Sequence, residues 1–350
     1  MRIRAALVML LLAACFLVSD PAAAASKPKH ARRRTAKAAH VTRKAPPKPQ
    51  VVFSADEAND PTPMPLLNAK MAGSSVLRAQ VLLDRAHFAP GEIDGFYGDS
   101  MVRAAEAFNA SRSLPGGENV TPETWAELNK DARPVVVPYV VTADDVAGPF
   151  IGKVPEKMED KAKLPKMSYE SPEEELAERF HMSPKLLARL NPGTRVVQGA
   201  ELRVLDVGRA PIPPAASVRV SESDLSVSAL DAEGKLIARY PATVGSEHDP
   251  LPVGDWKITG VGKNPVFHYN PDLFWDAKPQ DSKVTVPAGP NNPVGVVWMD
   301  LSKPHYGIHG SPEPATIGKT TSHGCIRLTN WDAAELASLV VPGTPALLSK

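Results

Sequence analysis

Three histidines and a cysteine stand close together near the end of the chain: His305, His309, His323 and Cys325. Two short runs contain most of the candidate chemistry, Gly307-Ile308-His309-Gly310-Ser311 and Thr321-Ser322-His323-Gly324-Cys325-Ile326-Arg327-Leu328. A cysteine attacks a carbonyl as its thiolate. A histidine can accept the thiol proton and later return it to a leaving amine. Gly310 and Gly324 flank the candidate histidine and cysteine; glycine permits tight turns and leaves backbone N–H groups open to a developing oxyanion. His309 and Cys325 are separated by a stretch that suits a strand, an excursion and a return. That spacing permits the two side chains to meet without requiring it, and His323 lies nearer to Cys325 in sequence than His309 does. Two blander readings compete. A buried cysteine is usually an inert small hydrophobe, although this one sits in a Gly/Ser/Thr-rich loop. The four residues could also ligate zinc, but H-x3-H followed by H-x-C is not a common zinc spacing, and Pro304 and Gly307 oppose a helix that would align the first two histidines.

The elements that must position these residues read as strands. Val218–Val220, Leu225–Ser228, Leu236–Tyr240, Trp256–Ile258 and Val294–Met299 carry strand signals, and Asp231-Ala232-Glu233-Gly234 supplies a hairpin turn. Asp332 and Leu336 fall in a helix that follows the second run. Residues 216–350 are therefore expected to form a mainly-β, sandwich-like domain. The 36 prolines of the 350-residue chain argue against a helical bundle or coiled coil.

Charge and targeting signals bound the class of protein. The chain carries 40 Lys+Arg and 39 Asp+Glu, but unevenly: residues 26–50 hold nine bases and no acid, leaving residues 51–350 with 29 bases and 38 acids. An acidic folded part argues against a nucleic-acid partner. Arg2 and Arg4, the apolar stretch Ala5–Val18 and the small residues Ala22–Ala25 form the pattern of a secretory signal peptide over residues 1–25. The apolar core is short for a membrane anchor. Leu12-Ala13-Ala14-Cys15 also has the look of a lipobox, and only lipidation of Cys15 would give a membrane partner. With cleavage after Ala25, Cys325 is the single cysteine left, a position that marks a reactive thiol or an intermolecular partner. A basic Ala/Pro/Lys-rich linker is expected over residues 26–69.

Two modules follow. Residues 70–132 read as three helices: one with Val76, Leu77, Val81 and Ala86 near helical spacing, one capped by Ser100 with Met101, Ala105 and Phe108 on a side, and one opened by Thr121-Pro122. The stretch containing Asp94, Gly95, Phe96 and Gly98 resembles the peptidoglycan-binding type 1 family, departing from it at Ser100-Met101 and Asn109. Residues 135–207 comprise a charged connector, Asp144–Lys166, and a segment from Tyr169 to Leu205 that resembles a degenerate LysM module, its usual first strand missing because Tyr169 is followed by Glu170-Ser171-Pro172. The family resemblances imply wall or glycan binding, or service as spacers.

The runs Ile308-His309-Gly310 and Ser322–Leu328 with Asp332 resemble the L,D-transpeptidase (YkuD) catalytic domain over residues 217–349. The whole is then a multidomain α+β chain: a small three-helix domain, a LysM-like module and a catalytic domain at 216–350. The resemblance implies Cys325 as nucleophile and His309 as general base. It also implies Ser322, His323 and Gly324 as shaping the catalytic loop and its oxyanion hole, and Arg327 as supporting the loop or meeting a substrate carboxylate. It implies no metal and no organic cofactor. The implied reaction is acyl transfer from a tetrapeptide stem of peptidoglycan to an amine acceptor, with D-Ala released and 3-3 cross-links formed or a wall protein anchored. Acylation by carbapenems is implied, as is a place in the periplasm or cell envelope. Water as acceptor would make an L,D-carboxypeptidase; a relic catalytic domain would leave a wall-binding scaffold.

Overall fold

In a computed structural model, residues 51–350 are described. The signal-peptide reading, Cys15 and the linker up to residue 50 lie outside those residues. The N-terminal half holds α1 (Ala55–Asn59), α2 (Ser74–Arg85), α3 (Asp99–Ser111), α4 (Pro122–Leu128), β1 (Val136–Val140), α5 (Asp144–Ala147), α6 (Met158–Lys161), α7 (Pro172–Arg179), α8 (Pro184–Leu190) and β2 (Glu201–Leu205). Thr121 caps α4 through a capping box with Pro122 in its first turn, as its sequence directs. Ser100 does not cap α3; Gly98 holds that position and Ser100 lies inside the helix. Residues 51–69 are not linker: Phe53, Ala55, Ala58 and Leu67 are buried in the helical core. Phe53 lies against Gly95, where an added Cβ would come within 2.1 Å of the ring, and edge-on to Phe96.

One hydrophobic core runs through residues 53–205, so the two N-terminal segments are packed as one body. The last strand of the second segment has a partner far upstream. β1 pairs antiparallel with β2, Val136 opposite Leu205 and Val140 opposite Glu201. The connector is thus an insertion between β1 and α7, and its length hid the pairing.

The C-terminal half contains β3 (Ser217–Ser221), β4 (Ser226–Leu230), β5 (Leu236–Pro241), β6 (Gly254–Lys263), β7 (Phe267–Tyr269), β8 (Val284–Val286), β9 (Val297–Leu301), β10 (Gly307–His309), β11 (Ile326–Arg327), α9 (Asn330–Leu339) and β12 (Pro345–Ser349). β7 and β8 form a separate hairpin. The other strands make one eight-stranded sheet in the order β11-β10-β9-β6-β12-β3-β4-β5. This replaces the expected sandwich with a curled sheet. β6 produces the bend: its first residues pair with β12, its later ones with β9, and the register shifts between Ile258 and Gly260. A bulge of this kind increases local twist and lets one strand serve two parts of a sheet. The curl brings the two ends together, because Thr243, just past β5, exchanges backbone hydrogen bonds of 3.0 and 2.9 Å with Arg327 in β11. Residues 294–296 are loop, with Gly295 at φ +62°.

The halves meet over a buried charged cluster. Arg209, in the segment between β2 and β3, donates to Asp84 of α2 at 2.7 Å and to Asp332 of α9 at 3.0 Å, and pairs with Glu335. His181 and His87 bond to Asp84 and Glu335 at 3.0 and 2.7 Å. Burial pushes the Asp332 carboxyl up to about 6. Burial also works against ionisation of Asp84, but Arg209 and His181 outweigh it and hold that carboxyl well below its usual range. Removing one partner of a buried charge set strands the others. Arg209→Ala should therefore lower stability by about 3–5 kcal/mol in chemical denaturation of the whole chain; a loss under about 1 kcal/mol would mean that the cluster is hydrated or repacks.

Candidate active site

The short parallel pairing of β10 and β11 sets the site. Ile308 lies opposite Ile326, and His309 opposite Arg327. Successive side chains of a strand point to opposite faces. Ile308 and Ile326 are fully buried in the sheet core, so His309 and Arg327 must face the other way. Cys325, one residue before β11, shares their direction. His309, Cys325 and Arg327 all line a cleft of about 890 Å³. The antiparallel neighbour β9 places Trp298 opposite His309, and its indole stacks on the imidazole, with ring centres 5.2 Å apart and planes inclined by 19°.

His309 is 4% exposed. Its Nδ1 lies 2.7 Å from the Gly310 carbonyl oxygen, an acceptor that requires the proton on Nδ1 and leaves Nε2 with its lone pair. Burial drives the imidazole down to about 4, and Arg327 adds to the shift against the Gly310 bond. The ring is neutral at physiological pH. The Cys325 thiol is pushed above its ordinary value, chiefly by burial, with the Gly307 N–H and Arg327 pulling the other way. Its Sγ lies 3.8 Å from the His305 carbonyl. The resting pair is therefore thiol and imidazole, not thiolate and imidazolium.

The loop before Cys325 is held locally. The Ser322 hydroxyl donates to the Cys325 carbonyl at 2.6 Å. Gly324 has φ +91°, and a Cβ there would sit 2.7 Å from the Tyr306 ring. Gly307 meets the same limit from Trp298, at 2.5 Å. The backbone N–H groups of His323, Gly324 and Cys325 donate to no protein acceptor among the described residues. His323 turns to the opposite wall: its Nε2 lies 2.9 Å from Asp276, and its ring packs beside Phe274 and Trp275. Arg327 is half-buried and makes no ion pair among the described residues; burial lowers its guanidinium below the usual value. No group of three or more His, Cys, Asp or Glu side chains among the described residues is arranged to hold a metal.

The sequence reading brought His309, Cys325 and Arg327 to one place and misjudged the surroundings. It missed Trp298 and Tyr306, which pack on the imidazole and on the cysteine loop. Alternation with the buried Val297 and Met299 puts Trp298 on the face away from the core, a signal available in the sequence; its contact with His309 needs the β9–β10 register. Asn330 was also missed. Its side-chain oxygen accepts from the Val296 N–H at 3.1 Å and leaves no room for a side chain at Gly310, where a Cβ would come within 2.3 Å of it.

A thiol and a neutral imidazole on one face of a strand pair, opening on a single cleft, are the equipment of an enzyme that transfers or hydrolyses acyl groups. The family model for the YkuD L,D-transpeptidase catalytic domain matches residues 216–348. The YkuD protein of Bacillus subtilis strain 168, itself named provisionally as an L,D-transpeptidase, is 30% identical over 178 residues, which cover 50% of this chain and 92% of the relative. Its counterpart in Bacillus licheniformis is 32% identical over 175 residues, 49% of this chain and 89% of the relative. A solved L,D-transpeptidase from Enterococcus faecium is 19% identical with a TM-score of 0.30; the match covers 39% of this chain and 50% of that one, and at that score adds no weight. The chain belongs to the YkuD family of L,D-transpeptidases, and it is an enzyme of that class.

The loop geometry makes a specific demand on Gly324. Gly324→Ala should reduce alkylation of Cys325 by iodoacetamide on the order of 10²-fold, because the new Cβ must displace Tyr306 or the loop. Gly234→Ala, in the β4–β5 turn at φ +77° with nothing within 4 Å, is the control: it carries the backbone strain and should leave the alkylation rate unchanged. Equal rates for both variants would remove the packing argument.

Proposed function

We propose that the chain is a peptidoglycan L,D-transpeptidase with Cys325 as nucleophile and His309 as general base. The observation that carries this reading is the common face of β10 and β11, on which the thiol, the lone pair of a neutral imidazole and an unpaired guanidinium meet one cleft. Cys325 attacks the carbonyl of the third, L-configured residue of a tetrapeptide donor stem. As the C–S bond forms, the thiol proton passes to His309 Nε2 and the carbonyl π electrons move on to oxygen. The free N–H groups of the 323–325 loop are the donors available to that oxyanion. Collapse breaks the C–N bond to D-Ala, and the proton on Nε2 leaves with the amine. The amine of a second stem then attacks the thioester, giving up a proton to His309 as the new C–N bond forms; the C–S bond then breaks and that proton passes to Sγ, which restores the thiol and the neutral imidazole. Water in place of that amine yields the carboxypeptidase reaction through the same thioester. Arg327 faces the cleft as a cation for a stem carboxylate. The substrate lies in the cell envelope, so the proposal requires export, for which residues 1–25 carry the leader pattern.

The neutral resting pair alters the expected pH dependence. An unperturbed imidazole would give a near-neutral acid limb; the buried His309 moves that limb to about 4. Acylation of Cys325 by a carbapenem, followed by mass spectrometry, should be nearly flat from the neutral range down to about pH 5. It should fall about tenfold per pH unit below the His309 pKa, where Nε2 becomes protonated. His309→Ala should cost about 10²–10⁴ in rate and leave a rate that climbs with pH through the thiol ionisation. An acid limb that persists in His309→Ala but vanishes in His323→Ala would transfer the base role to His323.

Cys325→Ala should abolish D-Ala release and cross-link formation from a purified tetrapeptide muropeptide together, because both pass through one thioester. Retention of either product by the variant would exclude the mechanism.

A further inference from the structure

The cleft that holds Cys325 is not walled by residues 216–350 alone. Glu156, Lys157, Met158 and Glu159 of the connector line it from the side, together with the β7–β8 hairpin. This connector is the insertion between β1 and α7, and it is fastened to the catalytic half at two places. At its C-terminal end, the Met167 N–H donates to the Ala288 carbonyl and the Asn291 N–H donates to the Met167 carbonyl, each at 3.0 Å. The Asn291 amide adds a bond of 3.0 Å to the Ser168 carbonyl. This fastening is buried and tight: Met167 is inaccessible to solvent, and a Cβ on Gly289 would come within 2.2 Å of the Met167 carbonyl oxygen. The second fastening is at α6, near the cleft and open to solvent. There one Glu159 carboxylate oxygen accepts from both the backbone N–H and the hydroxyl of Ser282, at 2.8 and 3.1 Å, in the loop that leads into β8. The wall thus has one rigid end and one end, packed beside β8, whose hydrogen bonds to the catalytic half among the described residues run through a single side chain.

We propose that the connector is a specificity-determining wall of the catalytic cleft, and that Glu159 is the positioning residue that clamps it to the β7–β8 hairpin. With the clamp made, the approach to Cys325 is narrowed on the connector side. A large reagent is slowed more than a small one, and an extended peptide gains a surface to lie against. The selection of acyl donors by size and length is then a property of the insertion, separate from the chemistry of the thiol and imidazole. The proposal rests on the peptidoglycan reading only for its kinetic measurement; access to the thiol is read without turnover.

The test uses the full chain and Glu159→Ala, with peptide mapping to assign modification to Cys325. Alkylation by a bulky maleimide should accelerate about two- to tenfold relative to alkylation by iodoacetamide, the range that loss of one or two net hydrogen bonds allows. For a tetrapeptide-stem donor, KM should rise by a similar factor while kcat changes by less than about twofold, the pattern of lost binding without lost chemistry. Glu159→Gln keeps a carbonyl acceptor for the Ser282 N–H and should return both readings toward the parent values. Ser282→Ala, which removes one clamp donor of the two, should give an intermediate ratio; loss of fold would instead raise both alkylation rates alike. Equal factors for the two reagents in Glu159→Ala and Ser282→Ala, or no change in either, overturn the proposal. If the parent enzyme fails to turn over stem donors, the functional reading falls while the alkylation ratio still decides the role of the wall.

Discussion

The candidate chemistry depends on the parallel register between β10 and β11. Each strand contributes one isoleucine, Ile308 and Ile326, to the core, and those two residues fix which face every neighbour takes. A slip of one residue on either strand would exchange the faces. His309 or Cys325 would then point into the apolar core, and an isoleucine into the cleft. The pairing is too short to hold itself, and its surroundings hold it instead. β9 flanks β10 along its length, and the backbone exchange between Thr243 and Arg327 closes the curl at β11. The bulge in β6 is therefore part of the site, although it lies strands away: without the bend it introduces, the ends of the sheet would not reach each other.

Burial by the same packing determines the ionic state of the pair. Desolvation disfavours the charged form of any group, lowering a histidine and raising a cysteine. Both shifts favour the uncharged couple, and the Gly310 carbonyl selects the tautomer that leaves Nε2 able to accept. A pre-formed ion pair would need a carboxylate to hold the imidazolium, and His309 is given only a backbone carbonyl and a stacked indole. Both groups therefore rest uncharged, beside backbone N–H groups of the cysteine loop that have no protein acceptor among the described residues.

How much of this was legible in the sequence follows from the range of each interaction. The capped start of α4, the apolar faces of α2 and α3, the β4–β5 turn and most of the strands are local, and the residue pattern reveals them. His309, Cys325 and Arg327 are legible as a group because two compact runs contain them. Which histidine shares the face of Cys325 could not be read from distance along the chain: His323 is the nearer in sequence, yet its ring is bonded to Asp276. What failed were relations between distant segments. β1 could not be paired with β2 across the connector, the folded residues 51–69, which carry three acids and no base, were grouped with the basic stretch before them, and the bulge that makes one curled sheet out of an expected sandwich leaves no mark stronger than a glycine at 260.

Those long-range relations also explain why the N-terminal half cannot be treated as a detachable appendage. Arg209 joins α2 to α9 through carboxylates on both, and α9 begins at Asn330, whose side chain fills the space beside Gly310 and braces Val296. The Asn330 amide in turn donates to Glu178 of α7 at 2.9 Å, and burial raises that carboxyl to about 7. A set of buried polar contacts therefore runs from the helical body to Asn330, which packs against the glycine whose carbonyl orients His309. Polar contacts in a low-dielectric interior are costly to leave half-made. Removing the helical body would uncover Asp332, Glu335 and Asn330 together on the back of α9. The helical half is thus part of the support of the face that carries His309 and Cys325.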